Sequence, residues 1–387
     1  MVRSRAERAG RPPAGGNGDD AFVKALCAWF AENARDLPWR RVDPTTGRRN
    51  PYRSLVSELM LQQTQVSRVV EKFGPFLDRF PTVRALAEAE LADVLALWEG
   101  LGYYRRARHL HAAARAVVER HGGEVPRGVG ELLGLPGVGR YTAGAVASIA
   151  FGEAAPIVDG NVMRVLLRVR GEDVAPDDAE TVRWVWSRAE ALVAEAGRKG
   201  LAGAFNEALM EHGATVCTPA SPRCLSCPVR GMCGAYAAGE QERIPRPKRR
   251  AARGDATHES VIARRADGRV LLERRGEAGL WAGLWQAPTL ERQGVGDARG
   301  RSRLEGWLGA GVRLKALGRM EVVTTHRDVG FRVFDAGVVE ATEALMEVRP
   351  APKGWTAMGV ERAWVRAGEG AGMGSAQRRV LGMGGAA

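Results

Sequence analysis

No run of eighteen or more apolar residues occurs in the 387-residue chain, so no segment reads as a membrane-spanning helix. The first twenty residues are rich in Arg, Gly and Pro and lack the apolar stretch of a secretory signal; they read as a disordered basic arm. No internal repeat is found, and no convincing strand pattern occurs before about residue 210. Cysteine is scarce, with five in all. Cys27 stands alone in an apolar stretch and reads as a core residue, whereas the other four fall within seventeen positions. In a reducing compartment such a cluster points to a metal site before disulfides. The absence of a signal or a span places the expected location in the cytoplasm.

What is present begins with charge. Lys and Arg number 57 against 45 Asp and Glu, a formal net charge of +12, while 45% of residues are hydrophobic. That is enough apolar material for packed cores, and the length fits two or three domains. The excess of positive charge favours a polyanionic partner, either nucleic acid or an acidic membrane face, although a basic, solvated surface explains the same number. From Ala21 to about Met210 apolar residues recur at helical spacing, as in Val83 to Trp98 and Leu110 to Arg120, with short Gly and Pro turns between them. An all-α region of several short helices is expected there. Residues Arg243 to Arg253, RIPRPKRRAAR, are basic and Pro-interrupted and read as a linker. Beyond them come short alternating runs, Ser260 to Ala263, Val270 to Glu273 and Phe331 to Val339, which suit the strands of a smaller α+β domain. The expected boundaries are a basic arm over 1–20, a helical domain over 21–236, a linker over 237–256, the α+β domain over 257–367 and a frayed Gly- and Ala-rich tail over 368–387.

Cys217, Cys224, Cys227 and Cys233 are spaced C-x6-C-x2-C-x5-C. Four thiolates so close in sequence can wrap one centre, zinc or an iron–sulfur cubane. Zinc sites more often use two separated C-x2-C knuckles, and a single such pair, with Pro228 after Cys227, leans toward the cubane. All ligand places would be filled, so the role is structural.

The run Leu135 to Arg140, LPGVGR, lies between an apolar stretch and a stretch of small residues, which reads as helix, tight turn, helix. Gly137, Val138, Gly139 and Arg140 would then present converging backbone N–H groups at a helix N-terminus, a nest for a phosphate. This is how a helix-hairpin-helix holds a DNA backbone without reading sequence. Two carboxylates complete the chemistry. Glu58, beside Leu55, Leu59 and Met60, is expected to be desolvated and protonated, ready to act as a general acid; the plainer reading is a surface Glu on an amphipathic helix. Asp159, in the run Pro156 to Val162, reads either as a helix cap or as a carboxylate facing a cationic sugar. A sugar–base bond is cut by two such groups, one protonating the leaving base and one stabilising an oxocarbenium-like sugar.

Taken together, PYRSLVSELMLQQTQV, LWEGLGYYRRARHLH, LPGVGRYTAGAV, IVDGNVMRV, FNEALMEHGATVC and the four cysteines, in that order, resemble the MutY-type adenine DNA glycosylases, densely over residues 22 to 236 and loosely beyond. The resemblance implies a helix-hairpin-helix glycosylase domain with one 4Fe–4S cluster and a smaller Nudix-like C-terminal domain. It implies a monofunctional enzyme that removes adenine from A:8-oxoguanine or A:G mispairs in double-stranded DNA, acting as a monomer and away from membranes. Glu58 would protonate adenine N7 and Asp159 would stabilise the sugar C1′, with Tyr141 and Asn161 lining that site. Glu207 would hydrogen-bond the flipped base, and Arg35 and Trp39 would help form its pocket. Gln63 and Tyr103 would fill the gap left in the duplex. Endonuclease III-type glycosylase/lyases share the fold and cysteine spacing but carry a Lys nucleophile where this chain has Tyr141.

In the C-terminal part no cluster of Glu forms a Nudix metal-binding box after residue 256, so nucleotide hydrolysis is not expected. The family loop with an aromatic before Ser/Thr-His appears here as Thr324-Thr325-His326. Thr325 and His326 remain as donors toward 8-oxoguanine, without the aromatic. The segment Gly279 to Trp285 is expected to pack in the domain core. Two other functions stay in view: an oxidised-pyrimidine glycosylase/lyase, and a DNA-binding protein without catalysis whose metal merely holds a basic loop.

Overall fold

The structure, a computed structural model, describes residues 17–44, 47–247, 252–294, 299–309, 311–366 and 372–385. The chain divides into two compact units, Met1–Glu88 with His109–Arg249, and Ala89–Arg108 with Arg250–Ala387.

Helices, numbered here in chain order, build the first unit: α1 (Asn17–Asn33), α2 (Pro51–Leu61), α3 (Val66–Arg79) and α4 (Val83–Ala87). Next in the chain come α5 (Leu91–Leu97), which belongs to the second unit, and α6 (Arg105–His121). Then follow α7 (Val129–Leu133), α8 (Arg140–Phe151), α9 (Gly160–Arg170), α10 (Ala179–Gly197), α11 (Ala202–Thr215) and α12 (Gly234–Ala237). Local chemistry fixes their ends. Asn50 caps α2, its side chain accepting from the Arg53 N–H, with Pro51 in the first helical position. The helical spacing over Val83 to Trp98 resolves into α4 and α5, with Thr82 capping the former. Between α11 and α12 the chain runs through two short 3-10 turns, Cys224–Ser226 and Arg230–Met232. Val42 and Arg49 make one isolated bridge, and no strand forms in this unit among the described residues. Its apolar core joins Phe22, Val23 and Leu26 of α1, Val162, Val165 and Leu166 of α9, Leu192 and Val193 of α10 and Phe205 and Leu209 of α11. Cys27 is half-buried against that core rather than inside it.

The second unit is a mixed sheet with helices on both faces, the α+β architecture expected. Its strands are β1 (Gly254–Arg264), β2 (Val270–Arg275), β3 (Trp285–Gln286), β4 (Thr289–Gln293), β5 (Lys315–Val323), β6 (Arg327–Val338), β7 (Thr356–Ala357) and β8 (Gly359–Val365). β1 is central: β6 runs parallel to it along its whole length, and β4 pairs antiparallel with its first half. β2 joins β1 at Arg264↔Val270 and carries β8 and β3, while β5 extends the sheet beyond β6. The two-residue side-chain period decides the packing. Ile262 joins Val270, Leu272 and Phe331 under α15 (Ser375–Met383), while Val261 and Ala263 join Leu271 and Phe334 under α13 (Gly300–Leu308) and α14 (Glu343–Met346).

Three expectations need correction or restriction. Residues 368–387 are not simply a frayed tail: α15 buries Ala376, Val380 and Leu381 against the sheet, an amphipathic pattern hidden by the surrounding Gly and Ala. The expected linker, 237–256, gives up its two ends to packed structure, because Ile244 is 2% exposed in the first unit's core and Gly254 already pairs in β1; residues 248–251 lie outside the described residues. The basic arm lies outside the described residues as far as position 16, and residues 17–20 form the first turn of α1. Trp281 and Leu284 do pack within the second unit, Trp281 against Phe331 and His258.

Candidate active site

A cavity of about 730 Å³ opens in the first unit. Most of the residues singled out from sequence line it. Glu58 reaches it from α2, Gln63 from the turn after α2, and Tyr141 from the first turn of α8. Asp159 and Asn161 stand at the start of α9, and Glu207 comes from α11. Arg35 and Trp39 approach from the segment after α1.

Glu58 is 6% exposed, and its Oε2 has no hydrogen-bond partner among the described residues. Burial pushes its carboxyl up to about 7; the Tyr141 hydroxyl offsets part of that, while the Glu207 and Asp159 carboxylates add to it. About half of the molecules therefore keep this proton at neutral pH, and one carboxyl oxygen is free of protein partners among the described residues. Burial, followed by the charges of Glu58 and Asp159, drives the Tyr141 hydroxyl well above the ordinary tyrosine range, so it stays protonated and donates to Met210 Sδ at 3.1 Å. Asp159 does cap α9: Oδ1 accepts the Val162 N–H at 2.7 Å. Its Oδ2 accepts from Asn161 Nδ2 at 2.8 Å, and Asn161 Oδ1 in turn accepts from Arg164 at 2.8 Å. The cap and the cavity-facing carboxylate are thus the same group, held in place by its own helix.

A largely buried ion network lines part of the same cavity. Arg40 donates from Nε to Glu207 Oε1 and from Nη2 to Glu211 Oε2, both at 3.0 Å. Arg49 reaches Glu207 Oε2 at 3.0 Å, and Arg35 reaches Glu211 with Nε at 2.6 Å and Nη2 at 2.8 Å. Burial alone would raise the Glu211 carboxyl, but Arg35 and Arg40 outweigh it and hold it at about 2. Glu207 therefore enters any ligand contact already anchored by two guanidinium groups.

The LPGVGR run forms the expected hairpin between α7 and α8. Gly137 has φ +73°, and a Cβ there would lie 2.3 Å from the Cβ of His109, so glycine is required twice over. Gly139 is the N-cap of α8 and supplies no side-chain acceptor, which leaves the first N–H groups of α8 open to an anion. Val138 is buried and anchors the turn, while Arg140 is exposed with its guanidinium 3.8 Å from the centre of the Trp186 ring. Gln63 adopts φ +53° and Tyr103 φ +47°, a left-handed backbone that costs an ordinary side chain about 1 kcal/mol or more and gathers at functional sites. Tyr103, Thr325 and His326 belong to the second unit. There the Tyr103 hydroxyl is hydrogen-bonded to that of Thr325, and Thr324 closes the β5–β6 turn by donating to the Arg327 carbonyl at 2.8 Å.

Cys217, Cys224, Cys227 and Cys233 line one small cavity beside α9 and α11. Arg168 Nη1 stands 3.4 Å from Cys217 Sγ, and His212 Nε2 stands 3.2 Å from Cys227 Sγ. Burial pushes the Cys227 thiol up to about 12, so it ionises only when a bound cation compensates it.

Residues 56–190 match the HhH-GPD superfamily of base excision DNA repair proteins. The chain is 48% identical over 227 residues to the human adenine DNA glycosylase, an overlap of 58% of this chain and 41% of the human protein. With the mouse adenine DNA glycosylase it shares 36% identity over 371 residues, 83% of this chain and 71% of the mouse protein. The chain belongs to the adenine DNA glycosylase family. Among solved structures, a thermostable thymine-DNA glycosylase superposes with a TM-score of 0.50 at 30% identity, over 57% of this chain and 97% of that one.

Within this family member, sequence reasoning missed Arg40, Arg49 and Glu211. The signal was available in part. Glu207 and Glu211 are four apart and share a face of α11, and two buried carboxylates on one face demand cations. Which arginines supply them depends on long-range approach, 171 positions apart for Arg40 and Glu211.

Proposed function

We propose that this adenine DNA glycosylase removes adenine paired with 8-oxoguanine or guanine in double-stranded DNA by hydrolysing the N-glycosidic bond, without cutting the strand. The observation that carries the reading is the buried Glu58 carboxyl, with its raised pKa and unpartnered Oε2, on the cavity that Asp159 also lines. With the purine flipped into the cavity, Glu58 gives its proton to N7 and makes the base a neutral leaving group. As the C1′–N9 bond breaks, positive charge develops on the sugar, and the Asp159 carboxylate stabilises it. Water then adds to C1′ and gives a proton to the now ionised Glu58 carboxylate, leaving an abasic site and restoring the acid. Asn161 and the α9 N-terminus fix the orientation of Asp159, and Tyr141 stands where a lyase would need an amine. The hairpin and Arg140 hold the backbone phosphates. Thr325, hydrogen-bonded to Tyr103, and His326 are the groups that face the partner base, and Tyr103 fills the gap left in the duplex.

Four thiols around one cavity, each able to ligate, with Arg168 and His212 as nearby N–H donors, fit a 4Fe–4S cluster bound by Cys217, Cys224, Cys227 and Cys233. Such a cluster would supply a rigid cross-link within the loop between α11 and α12, not a reacting group. The test is excision on duplexes holding A opposite 8-oxoguanine, G or T, scored by alkali cleavage, with borohydride trapping alongside. Release from the first two, with no more trapped adduct than a lysine-free control, is expected. Excision of oxidised pyrimidines with efficient trapping would favour the lyase reading instead.

A further inference from the structure

One buried group beside the cysteine loop has no part in base excision. His212, on α11, is 1% exposed. Its ring meets Trp29 edge-on with centroids 5.6 Å apart. Nε2 stands 3.2 Å from Cys227 Sγ, and Nδ1 has no partner among the described residues. Arg168 differs: it donates to the carbonyls of Ile244, Thr218 and Pro219 as well as lying near Cys217, so latching the loop explains it. No such backbone partner explains His212.

A ligating thiolate offers lone pairs only, so the proton on the line between the two atoms belongs to Nε2. An N–H···S bond withdraws charge from the sulfur and favours the more reduced cluster, and hydrogen bonds to the sulfurs are a recognised control of cluster potential. The dry surroundings strengthen the effect.

We propose that His212 sets the reduction potential of the iron–sulfur cluster by donating a hydrogen bond from Nε2 to the Cys227 thiolate. This rests on the 4Fe–4S reading, and the experiment separates the two. Iron and sulfide are first assayed on the wild-type holoprotein; zinc without sulfide would remove the cluster reading and this proposal with it. Cluster potential is then measured by film voltammetry for wild type, His212→Leu and His212→Gln. Loss of one hydrogen bond to a charged acceptor is expected to lower the equilibrium constant for one-electron reduction about ten-fold, or 59 mV. The Gln variant, which retains a donor, should recover part of it. A Leu variant with full iron and sulfide and an unchanged potential would overturn the proposal. If that variant loses its cluster, the wild-type holoprotein decides: with 15N-labelled histidine, pulsed EPR of the cluster poised in its odd-electron, paramagnetic 3+ or 1+ state should show a histidine nitrogen and an exchangeable proton coupled to it. Absence of both refutes the bond.

Discussion

Replacing Glu58 by Gln should have opposite effects on activity and on stability, and both sizes follow from the burial of one carboxyl. An ordinary Glu with a pKa of 4.5 would be protonated in only about 0.3% of molecules at pH 7, whereas Glu58, at about 7, is roughly half protonated. Single-turnover excision should therefore be level below pH 6, fall through a midpoint near 7 and drop about ten-fold per unit above pH 8. Glu58→Gln, which has no proton to give, should lose about 10²- to 10⁴-fold at pH 6. Stability runs the other way. The unfolded chain releases this proton near 4.5 and the folded chain near 7, so between those values the native state holds more protons and stability falls as pH rises. The ionised carboxyl costs the fold about 3 kcal/mol at pH 8 relative to pH 4. Glu58→Gln removes that slope. Its stability relative to wild type, from urea unfolding, should improve by most of that amount between pH 5 and pH 8. A constant cost of the buried amide cancels in this difference. A flat rate profile from pH 6 to 9, or a limb centred near 4.5, would refute the argument, as would an unchanged stability difference between the two pH values.

Asp159→Asn keeps a good helix cap and should cost less than about 1 kcal/mol while slowing excision by about 10²-fold or more; wild-type excision would leave Asp159 a cap and nothing else. Gly137→Ala forces a side chain into a left-handed position against His109. It should lower stability by about 1–3 kcal/mol and weaken binding to undamaged duplex, read by thermal unfolding and by fluorescence anisotropy. Arg40→Ala strips one cation from Glu207 and Glu211 at once, and Glu211 has a side chain only 1% exposed. Denaturant unfolding should show a loss of about 3–5 kcal/mol, and a loss near zero would mean that Arg35 and Arg49 suffice.

Much of this protein is determined locally, and local order is what a sequence displays. The hairpin was legible because Gly137 and Gly139 punctuate two helical stretches, and the cysteine group because its four thiols lie within one short loop. Glu58 was legible as a buried acid because its helix neighbours Leu55, Leu59 and Met60 are apolar, and all are fully buried. Asp159 was read as either cap or catalytic carboxylate. The structure makes it the cap and also sets it on the cavity, since a cap side chain points past the helix end. Tertiary structure alone decided the rest. It chose which arginines neutralise Glu207 and Glu211, it placed Tyr103 beside Thr325, 222 positions away, and it gave α15 a sheet to cover. Ion pairs and packed faces join segments whose separation along the chain carries no periodic or spacing signal. Their partners are fixed by the fold and cannot be read from neighbours in sequence.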